Sequence, residues 1–171
     1  ICFGLIYIAD KFFHVFFGTG YDKVIILIKI LSPIVIIIGI SNCLGAQYYT
    51  PAGLKKKSAK FIIIGAVLNL FLNLILIPGL RSYGAVIASL MAESVITVLY
   101  LIYCNGFLTV GNLKEKAWKK VISGLVMYMG IHLTDFVWIN DFWAIVLGIF
   151  EGVVIYIVTL FFMRDSFVIK M

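Results

Sequence analysis

Apolar residues run almost unbroken over 24–46, 61–78, 83–104, 118–138 and 142–162, and a shorter run fills 1–17. Polar and charged residues collect between these runs instead of alternating within them. A hydrocarbon core of ~30 Å takes ~20 residues of helix to cross. Inside it every backbone amide must find its partner within its own segment, so apolar runs of this length become helices. The pattern predicts an all-α, polytopic membrane helix bundle. It has about six transmembrane helices, the first truncated, in one transmembrane domain over 1–171.

The composition narrows the class. Hydrophobic residues make up 63% of the chain and charged residues 13%, which excludes a soluble domain. The net charge of +6 comes from bases spread through the loops, so it is not a nucleic-acid face. Their order sets orientation. Segment 48–60 carries Lys55, Lys56, Lys57 and Lys60, whereas 79–82 carries only Arg81. Segment 105–117 carries Lys114 and Lys116, with Lys119 and Lys120 where the next helix begins. The turn near Asn140 has Asp135 and Asp141, and the tail after 162 has Arg164 and Lys170. Lys/Arg excess marks the cytoplasmic side. The two basic segments and the C-terminus are therefore expected in the cytoplasm, with the 18–23, 79–82 and Asp141 turns outside. A multi-pass membrane protein with its C-terminus in the cytoplasm follows.

Catalytic signals are missing. Cys2, Cys43 and Cys104 lie far apart at or within apolar runs and form no metal-binding spacing. His14 and His132 have no ligand partner at helical spacing. No nucleophile elbow, phosphate loop or zinc motif occurs. The expectation is a protein that is not an enzyme, with no cofactor and no metal. The chain opens on Ile1, and Asp10 and Lys11 interrupt the first run. That opening reads as the outer part of a helix, and the chain either as the C-terminal portion of a larger transporter or as a short protein with a poor first span.

Three stretches are more specific. The first holds Ser41, Asn42, Gly45 and Gln47 and runs to Thr50 and Pro51. The second holds Gly65, Asn69 and Asn73 and runs to Ile77 and Pro78. The third holds Gly84, Ala85, Ala88 and Ser89 and runs to Glu93. In order and spacing they resemble the C-terminal half of the bacterial oligosaccharide-lipid flippases. Those proteins export capsule or O-antigen repeat units and share a superfamily with the multidrug and toxin extruders. The resemblance covers roughly 16–104 and implies half of a transporter whose two halves face each other across a central cavity.

The same residues can be read physically. Gly65, Asn69 and Asn73 are four apart and share a helix face. Gly84, Ala88 and Ala92 form a small-residue ridge on the next helix, with Ala85, Ser89 and Glu93 beside it. Small residues let helices approach, and asparagines hydrogen-bond across the contact. The short 79–82 turn makes the two helices antiparallel neighbours. Counting from the turn sets Asn73 level with Ala88 and Asn69 level with Ala92 or Glu93. An Asn69–Glu93 hydrogen bond is therefore expected, either as a clamp or as part of a cavity.

Lys29 stands inside an apolar run, one turn before Pro33. It is expected either to snorkel along its stem or to face an aqueous cavity and screen an anionic head group. Glu151, beside Gly148 and Gly152, reads as a structural acid at a close helix contact. Trp138 and Trp143, near Asp135, fit an aromatic belt. Lys55, Lys56 and Lys57 set orientation and could touch anionic lipid head groups.

The resemblance implies translocation of undecaprenyl-pyrophosphate-linked oligosaccharide repeat units across the cytoplasmic membrane, for capsule or surface polysaccharide. Lys29, Glu93, Asn69 and Asn73 are the cavity candidates. Gly65, Gly84, Ala88 and Ala92 are the packing candidates. The expected partners are the lipid-linked oligosaccharide, membrane lipids and other polysaccharide assembly proteins, with no nucleic acid. The alternatives are a cation-coupled multidrug exporter of the same superfamily and a non-transporting membrane component of polysaccharide assembly. Acids lining the cavity would favour the exporter.

Overall fold

The structure is a computed structural model that describes residues 2–107, 110–134 and 141–163, without the side chains of 110–117, 141 and 144. Asp135, Trp138, Arg164 and Lys170, and the side chains of Lys114, Lys116 and Asp141, lie outside the described residues.

The chain is an all-α, polytopic membrane bundle. Its helices are α1 (Cys2–Phe17), α2 (Asp22–Leu31), α3 (Ile34–Leu44), α4 (Lys55–Leu80), α5 (Ser82–Ile102), α6 (Val110–Thr134) and α7 (Asp141–Phe162), with a π-helical turn at Gly45–Tyr49 after α3. Among the described residues four segments are long and apolar enough to cross a membrane: Asp22–Tyr49, Lys55–Leu80, Ser82–Ile102 and Ile145–Phe162. Their outward faces are apolar, with Leu74 68% and Phe162 81% exposed. Such faces need hydrocarbon around them.

Prolines and residues with positive φ punctuate the helices. Pro33 has no amide hydrogen, so the Lys29 carbonyl loses its helical donor and the helix breaks between Leu31 and Ile34. Pro78 lies inside α4, which continues to Leu80. Arg81 alone separates α4 from α5, at φ 50° and ψ −127°. The expected turn of 79–82 is thus a single residue, because Gly79 and Ser82 are both helical. Lys55, Lys56, Lys57 and Lys60, read from the sequence as loop residues, occupy the first turns of α4. The backbone at Lys114 and Lys116 is likewise helical, within α6.

The helices gather into two compact units, Ile30–Thr109 and Ile1–Lys29 with Val110–Met171. In the first, α3, α4 and α5 enclose Leu44, Tyr49, Phe61, Ile96, Tyr100 and Cys104. Helix α5 buries Gly84, Ala88, Ala92, Ile96 and Tyr100, a stripe at four-residue spacing. In the second, Tyr7 of α1 packs with Met127 and Ile131 of α6. Glycines set the spacing there. A Cβ on Gly124 would meet the Phe3 ring at 2.7 Å, and one on Gly152 would meet Ile131 at 2.8 Å.

Candidate functional site

Polar side chains inside apolar helices are costly and mark functional positions. The structure gathers them into three places, with one further carboxyl contact between α6 and α7.

The first lies on α1 and α2. Asp10 and Lys29 each stand two turns, ~10 Å, from the connecting loop 18–21, so they meet at one level. Lys29 Nζ lies 2.6 Å from Asp10 Oδ2, and the two side chains are 36% and 51% exposed. Helix α1 runs straight through Asp10 and Lys11, contrary to the interruption expected from the sequence. The pairing explains this, since the carboxylate is compensated by an ammonium and not left alone in hydrocarbon. Lys11 is also accommodated. It donates to the Tyr7 hydroxyl at 3.2 Å and stands 5.1 Å from the centre of that ring. His14 Nδ1 donates to the Asp10 carbonyl at 2.7 Å. Sequence reading singled out Lys29 and missed its partner, because 19 residues separate the two. Their equal distance from the loop was the available signal.

The same unit holds a second carboxyl contact. The Thr134 hydroxyl stands 2.9 Å from Glu151 Oε2, joining α6 to α7 one turn from the Gly148 and Gly152 contacts. A Cβ on Gly148 would meet the Tyr7 ring at 3.0 Å, and the Tyr7 ring sits edge-on to His132 at 5.7 Å.

The second place is the α4–α5 hairpin. Gly65 faces Ile96 and the Ala92 carbonyl, and Gly84 faces the Leu76 backbone. Ala88 and Ala92 are buried between them. Asn73 Nδ2 donates to Asn69 Oδ1 at 2.8 Å, and Asn69 Nδ2 reaches Ser89 Oγ at 3.5 Å. The ladder thus runs Asn73–Asn69–Ser89 in place of the expected Asn69–Glu93 bond. Ser89 and Glu93 lie one turn apart on the same ridge, and counting levels from the turn does not separate them. Asn73 Oδ1 is buried without a hydrogen-bond partner.

The third place is the π-helical turn, which sequence reading did not anticipate. Thr50 closes it, donating from both its amide and its hydroxyl to the Gly45 carbonyl, at 3.0 and 2.8 Å. A Cβ on Gly45 would stand 3.7 Å from the Tyr100 hydroxyl, an ordinary contact. The Tyr49 hydroxyl donates to the Tyr100 carbonyl at 3.1 Å, which pins the turn to α5. Single π turns of this kind widen a helix and recur at functional positions. Among the described residues no group of three His, Cys, Asp or Glu side chains could hold a metal ion.

The sequence has informative relatives. The "Probable low-salt glycan biosynthesis flippase Agl15" of Haloferax volcanii is 29% identical over 161 residues, 90% of this chain and 33% of the relative. The "Putative O-antigen transporter" of Escherichia coli K12 is 34% identical over 86 residues, 50% of this chain and 21% of the relative. Over these stretches the chain is similar to part of a protein named as a flippase and to part of one named as a transporter. It spans about a third of the length of one relative and about a fifth of the other. No protein-family model matches the chain, and no solved structure does. Relatives named as a flippase and a transporter, together with the apolar helices, indicate a multi-pass membrane protein.

Proposed function

We propose that the protein translocates a lipid-linked oligosaccharide across the cytoplasmic membrane, with undecaprenyl-pyrophosphate as the carrier and capsule or surface polysaccharide as the destination. It acts as a transporter and not as an enzyme. The basic ends of α4 and α6 and the C-terminus lie in the cytoplasm, and other polysaccharide assembly proteins supply and consume the substrate. Within it 1–171 works as one transmembrane domain.

The Asp10–Lys29 pair supports this reading most directly. It sits two turns inside apolar helices and is only half covered. Ionised side chains at such depth face a bundle interior or a water-filled cavity and not lipid. A cavity of that kind is what a polar glycan needs to cross. In this reading Lys29 exchanges Asp10 for the pyrophosphate as the substrate passes. Asn69, Asn73 and Glu93 contribute further polar groups, and Gly65, Gly84, Ala88 and Ala92 hold the hairpin closed.

Complementation tests the proposal. A strain whose own repeat-unit flippase is deleted should regain surface polysaccharide when the full-length protein is expressed. Lys29→Gln should lose that rescue at equal protein level, and Lys29→Arg should keep more of it, since the charge remains. Rescue at wild-type level by Lys29→Gln would remove Lys29 from the substrate path. If the protein gives no rescue but raises resistance to cationic drugs, the exporter reading replaces the flippase reading.

A further inference from the structure

The start of α4 opens onto a groove of about 800 Å³ between α4 and α5. Its mouth carries Lys55, Lys56, Lys57 and Lys60, and among the described residues no carboxylate lines it. Lys57 is held in place, its Nζ 4.5 Å from the centre of the Tyr103 ring. That ring stacks on Phe61 at 5.4 Å, forming one wall. Below the mouth the lining turns apolar, with Phe61, Ile64 and Leu99. Ile64 is 48% exposed and continues into the outward face formed by Ile63 and Val67. The groove is thus cationic at its mouth and apolar at its floor, and it opens onto a membrane-facing side.

The geometry points to a docking site for an anionic phospholipid from the leaflet beside this end of α4, its phosphate among the four ammonium groups and one acyl chain along Ile64 and Leu99. Two observations select this occupant. The uncompensated charge at the mouth matches a phosphate, and the helix N-terminus adds its own positive end. A soluble anion would leave the apolar floor uncovered, whereas a lipid satisfies both parts at once. The site shares no residue with the Asp10–Lys29 pair, and its occupancy does not depend on what the protein transports.

The test uses the full-length protein in nanodiscs of phosphatidylcholine doped with phosphatidylglycerol, with retained lipid counted by native mass spectrometry. Each base near an anionic head group contributes about fivefold, so phosphatidylglycerol should be retained at least tenfold over phosphatidylcholine. Changing all four lysines to glutamine should bring the two lipids to parity, and changing all four to arginine should preserve the preference. Removing lysines could also disturb insertion, so a second variant keeps them. Ile64→Trp fills the floor and should lower phosphatidylglycerol retention several-fold with the charges intact. The site is overturned if wild-type protein shows no preference, if Ile64→Trp retains as much phosphatidylglycerol as wild type, or if millimolar inorganic pyrophosphate displaces the lipid completely. The last outcome would make the mouth a soluble-anion site.

Discussion

Lys29 Nζ and Asp10 Oδ2 stand 2.6 Å apart across two helices whose loop is equidistant from both. Either charge alone would be a liability at that depth, and together they form one compensated unit. The half-exposed setting keeps water or another polar group within reach, so the pair is able to exchange partners.

Single and double substitutions test this coupling. Asp10→Asn should lower stability or activity, because Lys29 loses its counter-charge. Asp10→Asn with Lys29→Gln should be less harmful than the sum of the two, with a coupling of about 1 kcal/mol. Exchanging the charges, Asp10→Lys with Lys29→Asp, should recover folding in a detergent melting assay. Strict additivity would mean that the contact contributes nothing.

The two hairpin glycines should behave differently. A Cβ at Gly84 would meet the Leu76 carbonyl oxygen at 2.5 Å and its carbon at 2.6 Å, and backbone cannot step aside. At Gly65 the obstacle is the Cγ1–Cδ1 arm of the buried Ile96 side chain, which can repack where backbone cannot. Gly84→Ala should therefore destabilise by about 1–3 kcal/mol, the usual overpacking range. Gly65→Ala should stay within about 1 kcal/mol of wild type, because the helix-propensity gain of alanine offsets the repacking. Equal melting temperatures for the two variants would contradict the close approach at Gly84.

A double-mutant cycle separates the two proposed partners of Asn69. Asn69→Leu and Ser89→Ala should couple by about 0.6 kcal/mol, the average for hydrogen bonds between membrane helices. Asn69→Leu and Glu93→Leu should be additive. A larger coupling with Glu93 than with Ser89 would restore the bond that level counting suggested.

These cases show what the sequence made legible. The all-α membrane class was readable because lipid permits few backbone solutions and the apolar runs are long. The hairpin was readable because Gly65, Asn69 and Asn73, and Gly84, Ala88 and Ala92, repeat at the helical period and the turn between them is short. The choice of Ser89 over Glu93 was not, since residues one turn apart share a face. Asp10 was read as a break in a helix because charge along one segment is judged without its partner on the next. The π turn at Gly45–Tyr49 leaves no periodic signature, being one widened turn held by Tyr49, Thr50 and Tyr100.

Arg81 carries the last prediction. It alone joins α4 to α5, and its φ of 50° with ψ of −127° lies where glycine is favoured and a side chain is strained. Such residues cost of order 1–3 kcal/mol and persist when the surroundings enforce them. Here the enforcing contacts are the Gly84 approach to Leu76 on one side and the Arg81 amide bond to the Ile77 carbonyl, at 2.8 Å, on the other. Arg81→Gly should therefore stabilise the hairpin by about 1 kcal/mol. Arg81→Val should destabilise it by more than that, since a β-branched side chain tolerates positive φ worst. Thermal unfolding of the three proteins in one detergent reads the order directly. If valine melts as high as glycine, the one-residue turn does not have this conformation in the membrane.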